Sequence, residues 1–304
     1  MNNAISPSQH AERFEFDVLR CPNCASRIDG SLTCSGCSIR FEDEGGVLNL
    51  LPSNLDGVKR GEDTVFAANS AELLKSKGRP WRRIINRHEI SRFDMEIVDN
   101  LPRGRFLELG GETCFASALY KSVYPDSIVY GSDVSPNSLR NVAVPTCKLF
   151  PAQPDFLIAV DAECLPFNDA TFDAVFCLTM IHHLPHPTKM MNEIVRVLRP
   201  GGRFIGIDHS VPQHFRWLFR ETAQERAAAH DIQERVLSYD DWVSIVGPSR
   251  IPLTSIKIYK SHKYLYTPLT ILGAQFVGTL PDSVARRFFP VGIVIDYVKP
   301  VLAS

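Results

Sequence analysis

The chain has almost no net charge, since 33 lysines and arginines oppose 34 aspartates and glutamates for a formal value of −1. A near-neutral total removes the strongest electrostatic reason to expect a nucleic-acid binder. No GxxxxGK[ST] stretch occurs, so the loop and lysine that cradle phosphates are excluded. No internal repeat divides the sequence. The opening residues, MNNAISPSQHAERFEF, are polar and hold no apolar signal-peptide core, so a cytoplasmic location is expected. Long uncharged runs are also scarce. The exception, Tyr264 to Pro281, reaches the length of a membrane span, but Pro268, Gly273, Gln275, Gly278 and three threonines interrupt it. No transmembrane helix is expected there. A lid over an apolar acceptor, a peripheral contact with membrane through 264–281, and an ordinary buried connection are the readings left open.

What is present is enough for one substantial core and a small module, given 304 residues of which 44% are hydrophobic. The most structured stretch runs from Val160 to Asp208. An apolar run ends in Asp161, and Phe172 to Leu178 form a second run broken only by Asp173, as in a strand buried on both faces. Met190, Ile194, Val197 and Leu198 recur at helical spacing. Pro200-Gly201-Gly202 ends that helix, and Arg203 to Ile207 is apolar again. Strand, helix, turn and strand form a right-handed crossover, which implies a parallel sheet with helices on its faces.

Asp161-Ala162, Leu165-Pro166-Phe167, Phe172-Asp173, His183-Leu184 and Leu198-Arg199-Pro200-Gly201-Gly202 together resemble class I S-adenosylmethionine (SAM)-dependent methyltransferases of the ubiquinone-biosynthesis type. Phe106 to Gly111 resembles that family's first strand and cofactor loop, and Ile128 to Ser135 its second strand, so the likeness covers residues 87–304. The resemblance implies an α/β fold, a doubly wound, Rossmann-like sheet of seven mostly parallel strands. Its order would be 3-2-1-4-5-7-6, with the last strand antiparallel. Ile251 to Tyr259 and Val291 to Val298 would be the final two strands.

Ligands of such sheets bind beyond the carboxyl ends of the strands, where the strand order reverses. Gly110 and Gly111 would let the backbone approach the cofactor. The resemblance assigns Glu108 to its ammonium group, Asp133 to the ribose hydroxyls and Asp161, with the Ala162 amide, to the adenine. Val134 and Cys177 complete the cofactor set. A cationic methyl donor without phosphates suits carboxylates. Taken singly, each acid could equally be a solvated loop residue. The first loop departs from the family form, acid-x-Gly-x-Gly-x-Gly, because Glu112 and Cys114 stand at the later glycine positions. This puts the tightness of cofactor binding in question. Residues Thr113 to Val123 read as the helix that follows.

Cys21-Pro-Asn-Cys24 and Cys34-Ser-Gly-Cys37 have the spacing of a structural zinc site. So small a segment could not fold on its own core, so the metal would supply its stability. It resembles the ribbons of tRNA methyltransferase activators and of rRNA guanine methyltransferases. Two disulfides, or cysteines without metal, are the competing readings. The expected organisation is a flexible tail over 1–15, a zinc ribbon over 16–52, a joining segment over 53–86 and the methyltransferase domain over 87–304. Helices are expected over 87–101, 216–230 and 239–246.

Substrate selection has three candidate regions. Lys75, Lys77, Arg79, Arg82, Arg83, Arg87 and Arg92, with Trp81 and Phe93, could track RNA or form a solvated helix face beside Glu89, Asp94 and Glu96. The uncharged run is the second region. The third is the histidines: His182 and His209 are the candidates for a general base, while His183 belongs to the shared family pattern. The expectation is SAM-dependent methyl transfer to a small-molecule, lipid-like or sugar-derived acceptor. The alternatives are an rRNA or tRNA base methyltransferase and a non-catalytic partner protein. SAM and a structural Zn²⁺ are the implied cofactors; nothing specifies the oligomeric state.

Overall fold

In a computed structural model, residues 16–61, 63, 97, 100–217, 235–259 and 276–301 are described. The sequence-based expectations for the tail over 1–15, the basic segment 75–92, most of the helices over 87–101 and 216–230, and 264–275 of the uncharged run fall outside them.

The centre is a mixed sheet of nine strands in the order β1-β2-β5-β4-β3-β6-β7-β9-β8. The strands are β1 (Glu42–Glu44), β2 (Val47–Asn49), β3 (Arg105–Leu109), β4 (Ile128–Asp133), β5 (Phe156–Ala159), β6 (Phe172–Leu178), β7 (Leu198–Ser210), β8 (Ile256–Tyr259) and β9 (Val291–Val298). From β5 to β8 this reproduces the expected 3-2-1-4-5-7-6 order. β9 runs antiparallel to both β7 and β8. Parallel strands β3 to β7 read as continuous apolar runs because helices and loops cover both faces. Phe106, Leu107, Val129, Tyr130, Val175 and Phe176 are wholly buried.

Two strands exceed the expected seven, and their origin is the cysteine-rich segment. β1 and β2 form a hairpin across Gly45 and Gly46, both at positive φ (62° and 82°), as its tight turn requires. β2 then pairs parallel with β5, Val47 opposite Leu157 and Asn49 opposite Ala159. The hairpin thus covers what would be an exposed edge. The stitching continues upstream. Leu19 bridges Phe167, the Arg20 N–H donates to the Pro166 carbonyl (3.1 Å), and the Asn168 N–H donates to the Val18 carbonyl (2.8 Å). Val18, Leu19, Ile28, Leu48 and Leu50 share one apolar cluster with Tyr130, Phe156, Phe167 and Phe172.

Helix α1 (Phe115–Val123) opens directly after the loop that follows β3, and Tyr120 stacks on Phe106 with centroids 4.2 Å apart. Helix α2 (Pro187–Val197) starts with proline at its first turn and buries Met190, Met191, Ile194 and Val197. Leu198, expected in that helix, is instead extended and begins β7. Pro200 explains the early stop, since a residue preceding proline is pushed out of the helical region. Pairing of β6 with β7 jumps from Phe172–Leu198 to Ala174–Arg203, so the Pro-Gly-Gly turn is an irregularity within the strand. Helix α3 (Tyr239–Val246) carries a capping box between Ser238 and Asp241. The strand expected over 251–259 shortens to Ile256–Tyr259, because Leu253–Ser255 forms a 3-10 turn after Pro252. Helix α4 (Asp282–Phe288) precedes β9.

Candidate functional site

The carboxyl ends of β3, β4 and β5 lie side by side, and the strand order reverses between β3 and β6. Glu108, the penultimate residue of β3, is buried, and its Oε2 accepts the Ser117 N–H of α1 at 2.7 Å. Asp133 ends β4. Its Oδ2 accepts the Glu112 N–H (2.9 Å) and its Oδ1 the Ser135 N–H (2.9 Å). A carboxylate has about four lone-pair positions, so both oxygens keep capacity for further donors. Burial pushes the Glu108 carboxyl up to about 7, with the Asp133 charge adding to the rise, and burial pushes Asp133 up to about 6. Both acids are buried, and the Asp133 charge is near enough to act on Glu108; such a pair of carboxylates suits a positively charged, hydroxyl-bearing ligand.

The loop between them shows how the departure from the glycine pattern is accommodated. Gly110 has φ 63°, and Glu112 and Cys114 also adopt left-handed conformations at φ 44° and 50°. These are the two positions where glycine would be expected, and a side chain there costs roughly 1 kcal/mol each. The fold retains the glycine-type turn without the glycines. Its yield is the Glu112 N–H aimed at Asp133 and a buried Cys114 that begins α1. At Gly111 a Cβ would sit 2.9 Å from the Cys114 sulfur and 3.1 Å from the Glu108 carboxyl carbon, so the close approach demands glycine.

Asp161 lies two residues past β5 and is buried, with Ala162 beside it. Its carboxylate is taken by a cation. Lys59 Nζ donates to Oδ1 at 2.7 Å and Oδ2 at 2.8 Å, and pairs with Glu163 at 2.9 Å. The three side chains are only 5%, 8% and 5% exposed. Four residues on, Asp63 accepts from the Ser135 hydroxyl (2.6 Å) and the Asn137 side-chain amide (2.8 Å) in the loop after β4. Neither Lys59 nor Asp63 carries a recognisable motif, and both escape a reading of the sequence alone. Val134 is half-buried between Asp133 and Ser135. Cys177 is fully buried within β6 and belongs to the apolar core.

A second constellation sits on the same edge, at the ends of β6 and β7. His182 Nδ1 lies 2.9 Å from Asp208 Oδ1, and His209 Nδ1 lies 3.0 Å from the same oxygen. Asp208 also accepts the backbone N–H groups of His182 (3.2 Å) and His209 (2.8 Å). Burial alone would raise the Asp208 carboxyl, but the two imidazoles overcome this and hold it well below the usual range. The rings of His182 and His209 meet edge to face at 4.3 Å, and His183 lies 4.0 Å from His182. Asp208 is thus the site residue that sequence reasoning passed over; the signal was an acid ending a buried strand immediately before His209.

The four cysteines converge as their spacing suggests. Cys21 and Cys37 sulfurs are 3.6 Å apart and those of Cys24 and Cys34 3.4 Å, with all four mutually within 4.8 Å and none in a disulfide. Thiolates around tetrahedral zinc would be separated by about 3.8 Å, given Zn–S bonds of about 2.3 Å. The Gly36 and Cys37 N–H groups point at the Cys34 sulfur (3.3 and 3.5 Å). The Ser26 hydroxyl draws the Cys24 thiol down to about 6. The donor set fits zinc.

The doubly wound sheet with its switch point beside Glu108 and Asp133 is the fold of the class I SAM-dependent methyltransferases. Residues 107–206 match the family described as a methyltransferase domain. The ubiquinone/menaquinone biosynthesis C-methyltransferase of Desulfotalea psychrophila is 34% identical over 36% of this chain and 43% of its own length. The phthiotriol/phenolphthiotriol dimycocerosates methyltransferase of Mycobacterium tuberculosis is 40% identical over 29% of this chain and 31% of its own. A sterol 4-C-methyltransferase of Caenorhabditis elegans is 42% identical over 17% of this chain and 16% of its own. The chain therefore spans less than half the length of these relatives. Among solved structures, geranyl diphosphate C-methyltransferase from Streptomyces coelicolor has a TM-score of 0.50 at 12% identity, covering 70% of this chain and 77% of that one. A chain of the complex between the Haloferax volcanii Trm112 methyltransferase activator and a methyltransferase also reaches 0.50, at 16% identity, covering 78% and 98%. At such identities these two likenesses concern the fold alone.

Proposed function

We propose that the chain is a SAM-dependent methyltransferase that acts on a small-molecule, lipid-like or sugar-derived acceptor. The observation that carries this is the pair of buried acids, Glu108 and Asp133, at the carboxyl ends of β3 and β4 beside the Gly110-Gly111 loop at the switch point. When bound, SAM would supply an electrophilic sulfonium methyl, open to in-line attack. Glu108 would hold the cofactor's ammonium and Asp133 its ribose hydroxyls. Asp161 and the Ala162 amide would meet the adenine, and Val134 would flank it. Cys177 would act from beneath, as packing under the site. Most of the rate advantage would come from fixing the two reactants in near-attack geometry.

His182 is the favoured general base. Asp208 accepts a hydrogen bond from its Nδ1, which selects the tautomer with a free Nε2 to take an acceptor proton. His209 shares the same carboxylate and would serve as a second donor or base. Cys21, Cys24, Cys34 and Cys37 would hold a structural zinc that joins the two knuckles of the ribbon over 16–52. The named relatives act on quinones, sterols and phthiotriol lipids, which supports an acceptor with an apolar body. Among the described residues no helix is long and apolar enough to cross a membrane, so such an acceptor would be met from the water side. The test is to supply methyl-labelled SAM with a total lipid extract and, separately, with total RNA. Label in the lipid fraction, lost in His182→Gln, is expected; label in RNA alone would replace the acceptor class with nucleic acid.

A further inference from the structure

Lys59 lies in a short helical segment (57–61) that follows the cysteine ribbon and reaches across to the switch-point loops. It spans both Asp161 oxygens at 2.7 and 2.8 Å, and the Glu163 N–H occupies a further position on Oδ1 at 2.9 Å. Three of the roughly four acceptor positions of that carboxylate are thus filled, and Lys59, Asp161 and Glu163 are all nearly sealed from solvent, so an incoming donor competes with Lys59 for it. An adenine amino group is such a donor, and it would meet an ammonium where it needs an acceptor. Asp63, one helical turn later, fastens the same strap to Ser135 and Asn137 beside Asp133. The strap is therefore clasped at both the adenine and the ribose loops.

Building on the assignment of the carboxyl edge to SAM, we propose that Lys59 occupies the adenine-amino position of the cofactor pocket. The strap formed by residues 57–61 and 63 must then release Asp161 before the cofactor can seat. The ribbon would thereby control access, because the strap is its direct continuation through Leu50, which is itself pinned to β5 by its N–H on the Ala159 carbonyl (2.9 Å). Entry of the cofactor exchanges one donor for another on Asp161 and leaves Lys59 to solvent. Glu163 is the counter-charge that retains the lysine when adenine competes.

Calorimetric titration of SAM into the zinc-loaded full chain tests this, using wild type, Lys59→Gln, Glu163→Gln and Asp133→Ala. Lys59→Gln is expected to bind at least tenfold more tightly than wild type. Glu163→Gln, which keeps the lysine but loosens it, should show a smaller gain. Amide exchange at residues 57–61 in the wild type should accelerate when SAM saturates the protein. Unchanged or weaker binding in both variants, with Asp133→Ala still abolishing it, would overturn the strap while leaving the cofactor assignment intact. Slower exchange at 57–61 on saturation would do the same, since it would make the strap a clamp on bound cofactor. Absence of binding in every variant would overturn both.

Discussion

At the scale of single residues the chemistry rests on acids whose protonation is set by burial. Glu108 ionises near 7 and Asp133 near 6, against ordinary values of 4.5 and 3.8. From about pH 4.5 to 7 the folded chain thus holds protons that the unfolded chain has lost, so stability falls as pH rises through that window. Glu108 alone contributes a change on the order of 3 kcal/mol. Cofactor affinity has the opposite slope, because a cationic ammonium selects the ionised carboxylate. Titrations from pH 5.5 to 7.5 should show SAM binding strengthen by roughly tenfold per unit below the Glu108 value; affinity flat with pH would remove Glu108 from that role. Asp208→Asn leaves the shape of the histidine cluster but removes the negative charge and turns one acceptor oxygen into an N–H donor, so the His182 tautomer is no longer fixed. Turnover should fall by about 10²-fold or more with SAM affinity unchanged, and a parallel loss of binding would mark the cluster as structural. Glu108, Asp133 and Asp161 were legible in the sequence as acids at strand ends. The Asp208–His182 pairing was not, because nothing in a linear pattern says which side chain beyond the neighbouring strand an acid will face.

At the scale of elements, the loop between β3 and α1 and the hairpin β1–β2 are the informative pieces. Glu112 holds φ 44° only because its N–H is tied to Asp133. Replacing it with glycine should raise stability by up to about 1 kcal/mol, read as a higher midpoint in denaturant unfolding. A lower midpoint would mean that the Glu112 side chain does more than tolerate the turn. The crossover from β6 through α2 to β7 was readable from periodicity, whereas the order of the last strands came only from the family resemblance. The helix boundary near Pro200 shifted because proline disfavours helix in what precedes it, a local steric effect that hydrophobic spacing does not report. The strand start near Pro252 shifted because a 3-10 turn over Leu253–Ser255 follows that proline. The cysteine pairs announced the knuckles, but pairing of β2 with β5 depends on edge complementarity between segments more than a hundred residues apart. Chelation, or Cys21→Ser with Cys34→Ser, should lower the thermal midpoint by roughly 5 °C or more, since the ribbon shares the main core. An unchanged midpoint, with no zinc in the purified protein by elemental analysis, would leave the cysteines without a metal role.

Taken whole, the molecule joins its cysteine ribbon to the central sheet through one continuous set of strands. A formal charge of −1 over the whole chain gives it little overall pull on polyanions. Retention of total RNA is therefore expected to be weak at physiological salt and nearly flat with salt concentration; steep salt-dependent binding would redirect the acceptor class toward RNA. The central claim is that the carboxyl edge of β3 and β4 holds SAM. The most direct measurement is equilibrium dialysis of labelled SAM against the zinc-loaded chain, with Asp133→Ala alongside. The account predicts one cofactor per chain at micromolar concentration and loss of that binding in the variant. Equal binding in both proteins, or none in either, would contradict it.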